Sequence, residues 1–286
     1  MGMQQSLVSL DPIQPFFVNC TANTYYKRTV AGLPVAHFYS FAADANRHET
    51  IAVPDGSVDI LFVMGRTGAK GHVYGPVTSW KPFPIEGGAT YFGVRYHPGA
   101  IPHKIGVDGM ELTDHAMSLA NLPGGGLLLD RIASAKGFAE RTDIFLSSSA
   151  VGALGCRLGW EDASDSRLLA VALSYIVGHN GGVRMKDLEQ ETGYTARSIN
   201  YVFLRHMGVS PKAYCKHIRF QTLIKLINRH GRRAISSAAA GAGYFDHSHM
   251  LKDFRAFTSY SPKQYLDVIN LPAYAKKIVD SRWQAG

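Results

Sequence analysis

Between Gly193 and Tyr265 the sequence says nearly the same thing twice. Gly193-Tyr194 precedes Thr195, Ile199, Phe203 and Ser210-Pro211-Lys212 with Tyr214, while Gly243-Tyr244 precedes Asp246, Met250, Phe254 and Ser261-Pro262-Lys263 with Tyr265. Thr195 and Asp246, Phe203 and Phe254, and Pro211 and Pro262 each stand 51 residues apart, and Phe245 is the one inserted residue. Each copy reads as helix, tight glycine turn, second helix, a unit that buries little apolar surface alone. Two copies on one segment predict two similar helices reaching into the same duplex.

Charge supports a polyanionic partner. Residues 1–156 hold 11 Lys/Arg against 12 Asp/Glu, whereas residues 157–286 hold 19 against 10, so the net charge of +8 comes entirely from the half with the repeat. A one-sided basic region is the electrostatic footprint of a nucleic-acid partner. Cys20, Cys156 and Cys215 are odd in number and widely spaced, which argues against a disulfide framework or a zinc finger and for reduced thiols in the cytoplasm. No run of about 18 apolar residues and no leader pattern appears, so no membrane association is expected.

The first 110 residues read as short strands separated by turns, an antiparallel barrel or sandwich. Val58 to Met64 follows the turn signal Pro54-Asp55-Gly56-Ser57, and Thr90 to Tyr96 ends at Pro98-Gly99; Val30 to Phe41 and His72 to Val77 are weaker candidates. Thr113 is expected to cap a short helix through about Ala120. A second helix from Leu127 to about Leu146 carries a face of Leu128, Ile132, Ala135, Ala139 and Phe145, the candidate seam of a homodimer. Ser147 to Gly159 reads as a linker, and Ser164-Asp165 caps a helix through His179 with Leu168, Leu169, Ala172, Leu173 and Ile176 inward.

In the first module Met185 to Thr192 is the supporting helix and Thr195 caps the next, with Ile199, Val202 and Phe203 inward. Ala196, Arg197, Asn200 and Tyr201 are left on the outer face of its first two turns, the part of a recognition helix that meets base edges. In the second, Ile235 to Ala240 supports a helix capped by Asp246, with Met250 and Phe254 inward and His247, Ser248, Leu251 and Lys252 outward. Arg forks onto guanine, Asn pairs with adenine, and an aliphatic side chain meets a thymine methyl. Between them Pro211 to Arg229 reads as one long helix. Arg205, Lys212, Lys216, Arg219, Arg255 and Lys263 are candidate phosphate contacts; Lys225 is either such a contact or solvated.

At this point residues 165–268 resemble the paired helix–turn–helix domain of AraC/XylS-family transcription regulators. The resemblance rests on Gly193-Tyr194-Thr195, Phe203, Gly208-Val209-Ser210-Pro211 and Tyr214, then Gly243-Tyr244, His249-Met250, Phe254-Arg255, Ser261-Pro262 and Tyr265. It implies an all-α DNA-binding domain at about 163–270, with helix–turn–helix units near 183–207 and 234–258 and a tail at 271–286. It also implies double-stranded DNA and RNA polymerase as partners. Glu189, Tyr201 and Ser259 depart from the family's usual Ala, Arg and Gly.

Residues 10–155 resemble an N-terminal domain of some members, through Val53-Pro54-Asp55-Gly56, the strand to Met64, Gly93 to Ala100 and Glu111-Leu112-Thr113-Asp114. This implies a β-rich, cupin-like regulatory or dimerisation domain at 1–158, an α+β multidomain chain overall, and a small-molecule effector. Trp80, Tyr91, Phe92 and Tyr96 are the candidate effector pocket. Asp55 and Asp59 read as turn and strand-edge groups. His72, His97 and His103 lack the paired spacing of a metal site, so neither metal, cofactor nor catalysis is assigned. The alternative is a metal-dependent cupin-like sensor or enzyme fused to a DNA-binding domain.

Overall fold

The computed structural model describes residues 11–30, 33–100, 108–147 and 163–283. Seven strands form one sheet in the order β8-β5-β4-β7-β2-β1-β9: β1 (Thr21–Val30), β2 (Val35–Ala43), β4 (Asp59–Gly65), β5 (Gly68–Tyr74), β7 (Thr90–Tyr96), β8 (Ala116–Ser118) and β9 (Ile278–Trp283). All neighbours are antiparallel except β1 and β9. A two-stranded ribbon pairs β3 (Glu49–Ala52) with β6 (Lys81–Pro84).

Side chains alternate between the two faces of a strand, and here both faces are buried. Phe38, Ile60, Phe62, Phe92, Val94 and Tyr96 face one core, which is closed by α3 (Gly125–Ser134) and α4 (Phe138–Ser147) through Leu128, Ile132 and Phe145. Tyr39, Phe41, Leu61 and Tyr91 face the other, shared with Phe17 of α1 (Pro15–Asn19) and Phe83 of the ribbon.

Two helix expectations in this domain are corrected. From Thr113 to Ala120 there is no α-helix: α2 (Gly109–Leu112) is closed by Thr113, Asp114 turns with φ 61°, and the chain enters β8 and then a short 3-10 turn at Leu119–Asn121. Asp114 accepts from the backbone N–H (3.0 Å) and hydroxyl (2.6 Å) of Thr78, which pins that turn. The helix from Leu127 to Leu146 is two helices, because Ala135 is extended and Lys136 donates its N–H to Glu140 (2.7 Å), starting α4 afresh. Of the Leu128–Ile132–Ala135–Ala139 seam, Leu128, Ile132 and Ala135 are buried against their own domain, with Ile132 0% exposed, and Ala139 is exposed on α4. The expected linker falls mostly outside the described residues, though Ser147 closes α4.

The rest is helical: α5 (Ala163–Gly178), α6 (Met185–Thr192), α7 (Ala196–Met207), α8 (Pro211–His230), α9 (Ile235–Gly241), α10 (His247–Thr258), α11 (Pro262–Ile269) and α12 (Leu271–Lys277). The first module packs on α5 through Leu168, Leu169, Ala172, Leu173 and Ile176, as the spacing predicts. The second module's core holds Phe220, Ile224, Met250, Phe254 and Tyr265, together with Phe16 and Val53 from the amino-terminal domain. Residues 271–283 form no loose tail, since β9 adds a parallel strand to β1 with Tyr25 opposite Ile278.

Candidate nucleic-acid interface

Both outer helices start from caps that the sequence predicts. Thr195 accepts from the N–H of Ser198 (3.3 Å) at α7, and Asp246 from that of His249 (2.7 Å) at α10. Such caps satisfy N–H groups that have no partner within the helix. Gly193 (φ 74°) and Gly243 (φ 76°) make the preceding turns in the left-handed region that glycine enters without steric cost. Glu189, a departure from the family pattern, reaches across the first turn and accepts from the N–H of Ala196 (2.7 Å). Ser259 takes the left-handed position closing α10, with φ 63°.

On α7, Ile199, Val202 and Phe203 are buried, Arg197 and Tyr201 are exposed, and Ala196 and Asn200 are half-buried. On α10, Met250 and Phe254 are buried and His247, Ser248 and Lys252 are exposed. Leu251 is half-buried and packs against the second core, so it is less outward than its spacing implies. Between the modules runs α8, 20 residues long, which at about 1.5 Å per residue spans roughly 30 Å.

The basic residues divide. Arg205, Lys212, Arg255 and Lys263 are exposed. Lys216 is half-buried with its ammonium 3.8 Å from Asp253. Arg219 is no free phosphate clamp: its guanidinium donates to the Gly181 carbonyl (2.7 Å) and lies over the Tyr244 ring, bracing the two modules. Lys225 is partly buried, and its desolvation lowers its pKa. Both sit on the side of α8 that packs inward, which net charge alone does not reveal.

In the amino-terminal domain a cavity of about 210 Å³ lies between the sheet and the ribbon. Trp80, Tyr91, Phe92 and Tyr96 do not line it. Phe92 and Tyr96 point to the opposite face of β7, Tyr91 stacks on Phe41 at 4.8 Å, and Trp80 is 39% exposed. The residue of β7 that does enter is Arg95. Its Nε donates to Asp59 (3.0 Å), Nη2 pairs with the same carboxylate, and Nη1 lies 3.1 Å from Asp55. Asp55 and Asp59 are thus partners in an internal cluster, beyond the turn and strand-edge roles expected of them. Burial raises the Asp55 pKa against the opposing pull of Arg95. The signal lay in the sequence as a lone Arg in one apolar strand and a lone Asp in another, which the register places opposite each other.

The cluster is wired to α8. Gln14 donates to Asp55 (2.9 Å) and to the Val53 carbonyl (2.6 Å). Gln221 of α8 accepts from the N–H of Ile13 (3.0 Å) and donates to the Pro54 carbonyl (3.1 Å). Gly56 (φ 75°) packs on the Tyr214 ring, where a Cβ would come within 3.2 Å. Of the three histidines weighed for metal, His72 lies on β5, His97 follows β7, and His103 is outside the described residues. Among the described residues no group of three His, Cys, Asp or Glu side chains is placed to hold a metal ion, and no helix is long and apolar enough to cross a membrane.

Residues 188–267 match the family described as a helix-turn-helix domain. The carboxyl-terminal region is a helix–turn–helix domain. Residues 34–118 match a second family, described as a domain of unknown function (DUF6597), so the helix–turn–helix domain is preceded by a distinct β-rich unit. No curated protein matches the sequence at a significant level. Solved structures of ToxT from Vibrio cholerae are similar over 86% of this chain. An apo form shares 14% identity over 96% of its own length at a TM-score of 0.41. A 1.65 Å structure shares 12% identity over 97% of its length at 0.41, and a form bound to an unsaturated fatty acid shares 12% over 94% at 0.39.

Proposed function

We propose that the protein is a sequence-specific, double-stranded-DNA-binding transcription regulator that reads two successive major-groove segments and works by binding, without catalysis. The observation that carries this is the pair of capped helices α7 and α10, each with a buried inner face and exposed polar residues on its first two turns, joined through the single helix α8. Arg197, Asn200 and Tyr201 are the base-reading candidates of the first segment, and His247, Ser248 and Lys252 those of the second. Arg205, Lys212, Arg255 and Lys263 supply phosphate contacts, which fix register without reading sequence. RNA polymerase is the protein partner this reading calls for. A small molecule in the amino-terminal cavity is the input, and the Asp55–Gln14 and Pro54–Gln221 contacts give its occupancy a route to α8.

Selection of bound sequences from random duplex DNA by the full-length protein tests the reading. Two short conserved blocks about 10 base pairs apart, centre to centre, are expected. Enrichment of a single block, or none, overturns it.

A further inference from the structure

The cavity carries a chemical preference of its own. Two carboxylates, Asp55 and Asp59, surround one guanidinium, so the buried cluster has one negative charge in excess. At the mouth Lys81 and Asp114 offset each other at 3.6 Å and leave that excess unchanged. Each of the three Arg95 nitrogens already faces a carboxylate oxygen, so its charge is neutralised within the cluster and an entering anion would meet the two carboxylates beside it. Ser57, only 6% exposed, lines the same cavity with an Oγ that has no hydrogen-bond partner. A buried hydroxyl without a partner is costly unless something enters to satisfy it. Besides Gln14 and His115, the remaining wall is largely apolar and aromatic, with Phe17, Tyr39, Leu61, Tyr74 and Phe83. Gly93 lets the Tyr39 ring lie across β7, where a Cβ would come within 2.1 Å of it. Aromatic faces beside a carboxylate suit an organic cation, whose charge meets the acid and whose body meets the rings.

We infer that this cavity binds a small organic cation, an amine or amidine on a compact aromatic or aliphatic body, at Asp59 and Ser57. The inference rests on the reading of the amino-terminal domain as the effector-binding part of a regulator. The ammonium sits against the Asp59 carboxylate, itself partly open to the cavity with 15% of its side chain exposed. Ser57 Oγ accepts an N–H from the ligand, and the body fills the space between Tyr39 and Phe83.

The test uses the full-length protein and matched probes: phenethylamine and cyclohexylmethylamine as cations, 2-phenylethanol as the neutral isostere, and phenylacetate as the anion. Thermal denaturation with each, followed by calorimetric titration, is expected to show stabilisation by the amines alone, since a ligand of the native state raises its melting temperature. Asp59→Asn is expected to weaken amine binding by about tenfold or more. Ser57→Ala, which removes one hydroxyl and leaves the ion pairs in place, weakens it by about threefold to tenfold. Stabilisation by phenylacetate instead, equal stabilisation by all probes, none by either amine, or unchanged amine affinity in Ser57→Ala overturns the assignment. Binding to the selected DNA is measured on the same preparation. DNA binding without amine preference rejects the cation site alone, and failure to select DNA rejects the regulator.

Discussion

Arg197 and Lys252 are exposed on the first two turns of helices whose inner faces are fully occupied. On the proposed docking, Arg197→Ala costs about 1–3 kcal/mol on the best operator and relaxes preference at one position, whereas a phosphate contact weakens all sequences alike. Lys252→Ala affects a position about 10 base pairs away. Binding titrations of both variants on the selected site and its single-base changes decide this, and unchanged affinity and preference in both rejects the docking. His217 lies deeper, on α8. It is 1% exposed, its Nδ1 has no partner, and it meets Phe257 edge to face. Burial pushes its pKa down to about 4, with Lys216 adding to the effect and Asp114 opposing it. The folded-state value is therefore depressed below that of the unfolded chain. Its contribution is fully present above pH 6.5 and is lost as pH falls toward 4, at up to about 1.4 kcal/mol per pH unit for the one proton taken up. Denaturant titrations from pH 7 to 4 should show that decline in the wild type and a shallower one in His217→Leu.

At the scale of elements, α3 shows how packing redirects a face that periodicity predicts. Ile132 is fully buried beneath the sheet with Phe145 and Leu128. Ile132→Asp puts an unpaired charge into that core and should unfold the amino-terminal domain, with a cost of several kcal/mol. Far-ultraviolet circular dichroism and thermal denaturation read this directly; a folded variant that merely dissociates would return the seam to this face. The repeat was the most legible element, because Gly193, Thr195, Phe203 and their counterparts specify local turns, caps and inward positions. Four strands were legible, Thr90–Tyr96 to the residue, because alternation and turn residues act locally, whereas β1, the ribbon strands β3 and β6, and β8 were not singled out. What escaped was non-local. Arg95 faces Asp59 only through strand register, Glu189 caps the next helix across a turn, and β9 exists because an edge of β1 was open to receive it. None of these pairings leaves a periodic trace in a single segment.

For the whole molecule, the excess positive charge of residues 157–286 predicts strong salt dependence. Log affinity for DNA should fall linearly with log salt by about 0.9 for each phosphate neutralised, and affinity insensitive to salt excludes several phosphate contacts. The measurement belongs on the full chain, because the DNA-binding half does not complete its own core. Phe16 is 4% exposed and inserts between Tyr265, edge-on at 5.8 Å, and Tyr260, stacked at 5.9 Å. Val53, at 0% exposure, belongs to the same cluster. Both come from the domain that holds the cavity, and Val53 adjoins the Pro54-Asp55-Gly56 turn through which Gln221 and Tyr214 are reached. The second module is therefore built partly from the regulatory domain, while the buried apolar cluster of the first is drawn from residues 168–218 and meets that domain at its edge, where Gly56 and Gly99 pack on Tyr214 and Leu173. Phe16→Ala should accordingly act on one module only. Truncating a buried Phe costs about 3–5 kcal/mol, and here the loss falls on the cluster that orients α10. DNA selected by Phe16→Ala should keep the block read by α7 and lose information in the block read by α10, at positions that residue 16 never touches. Equal loss in both blocks would mean general destabilisation. Retention of both would mean that α10 is oriented by its own module, and that the contact between the domains carries no message.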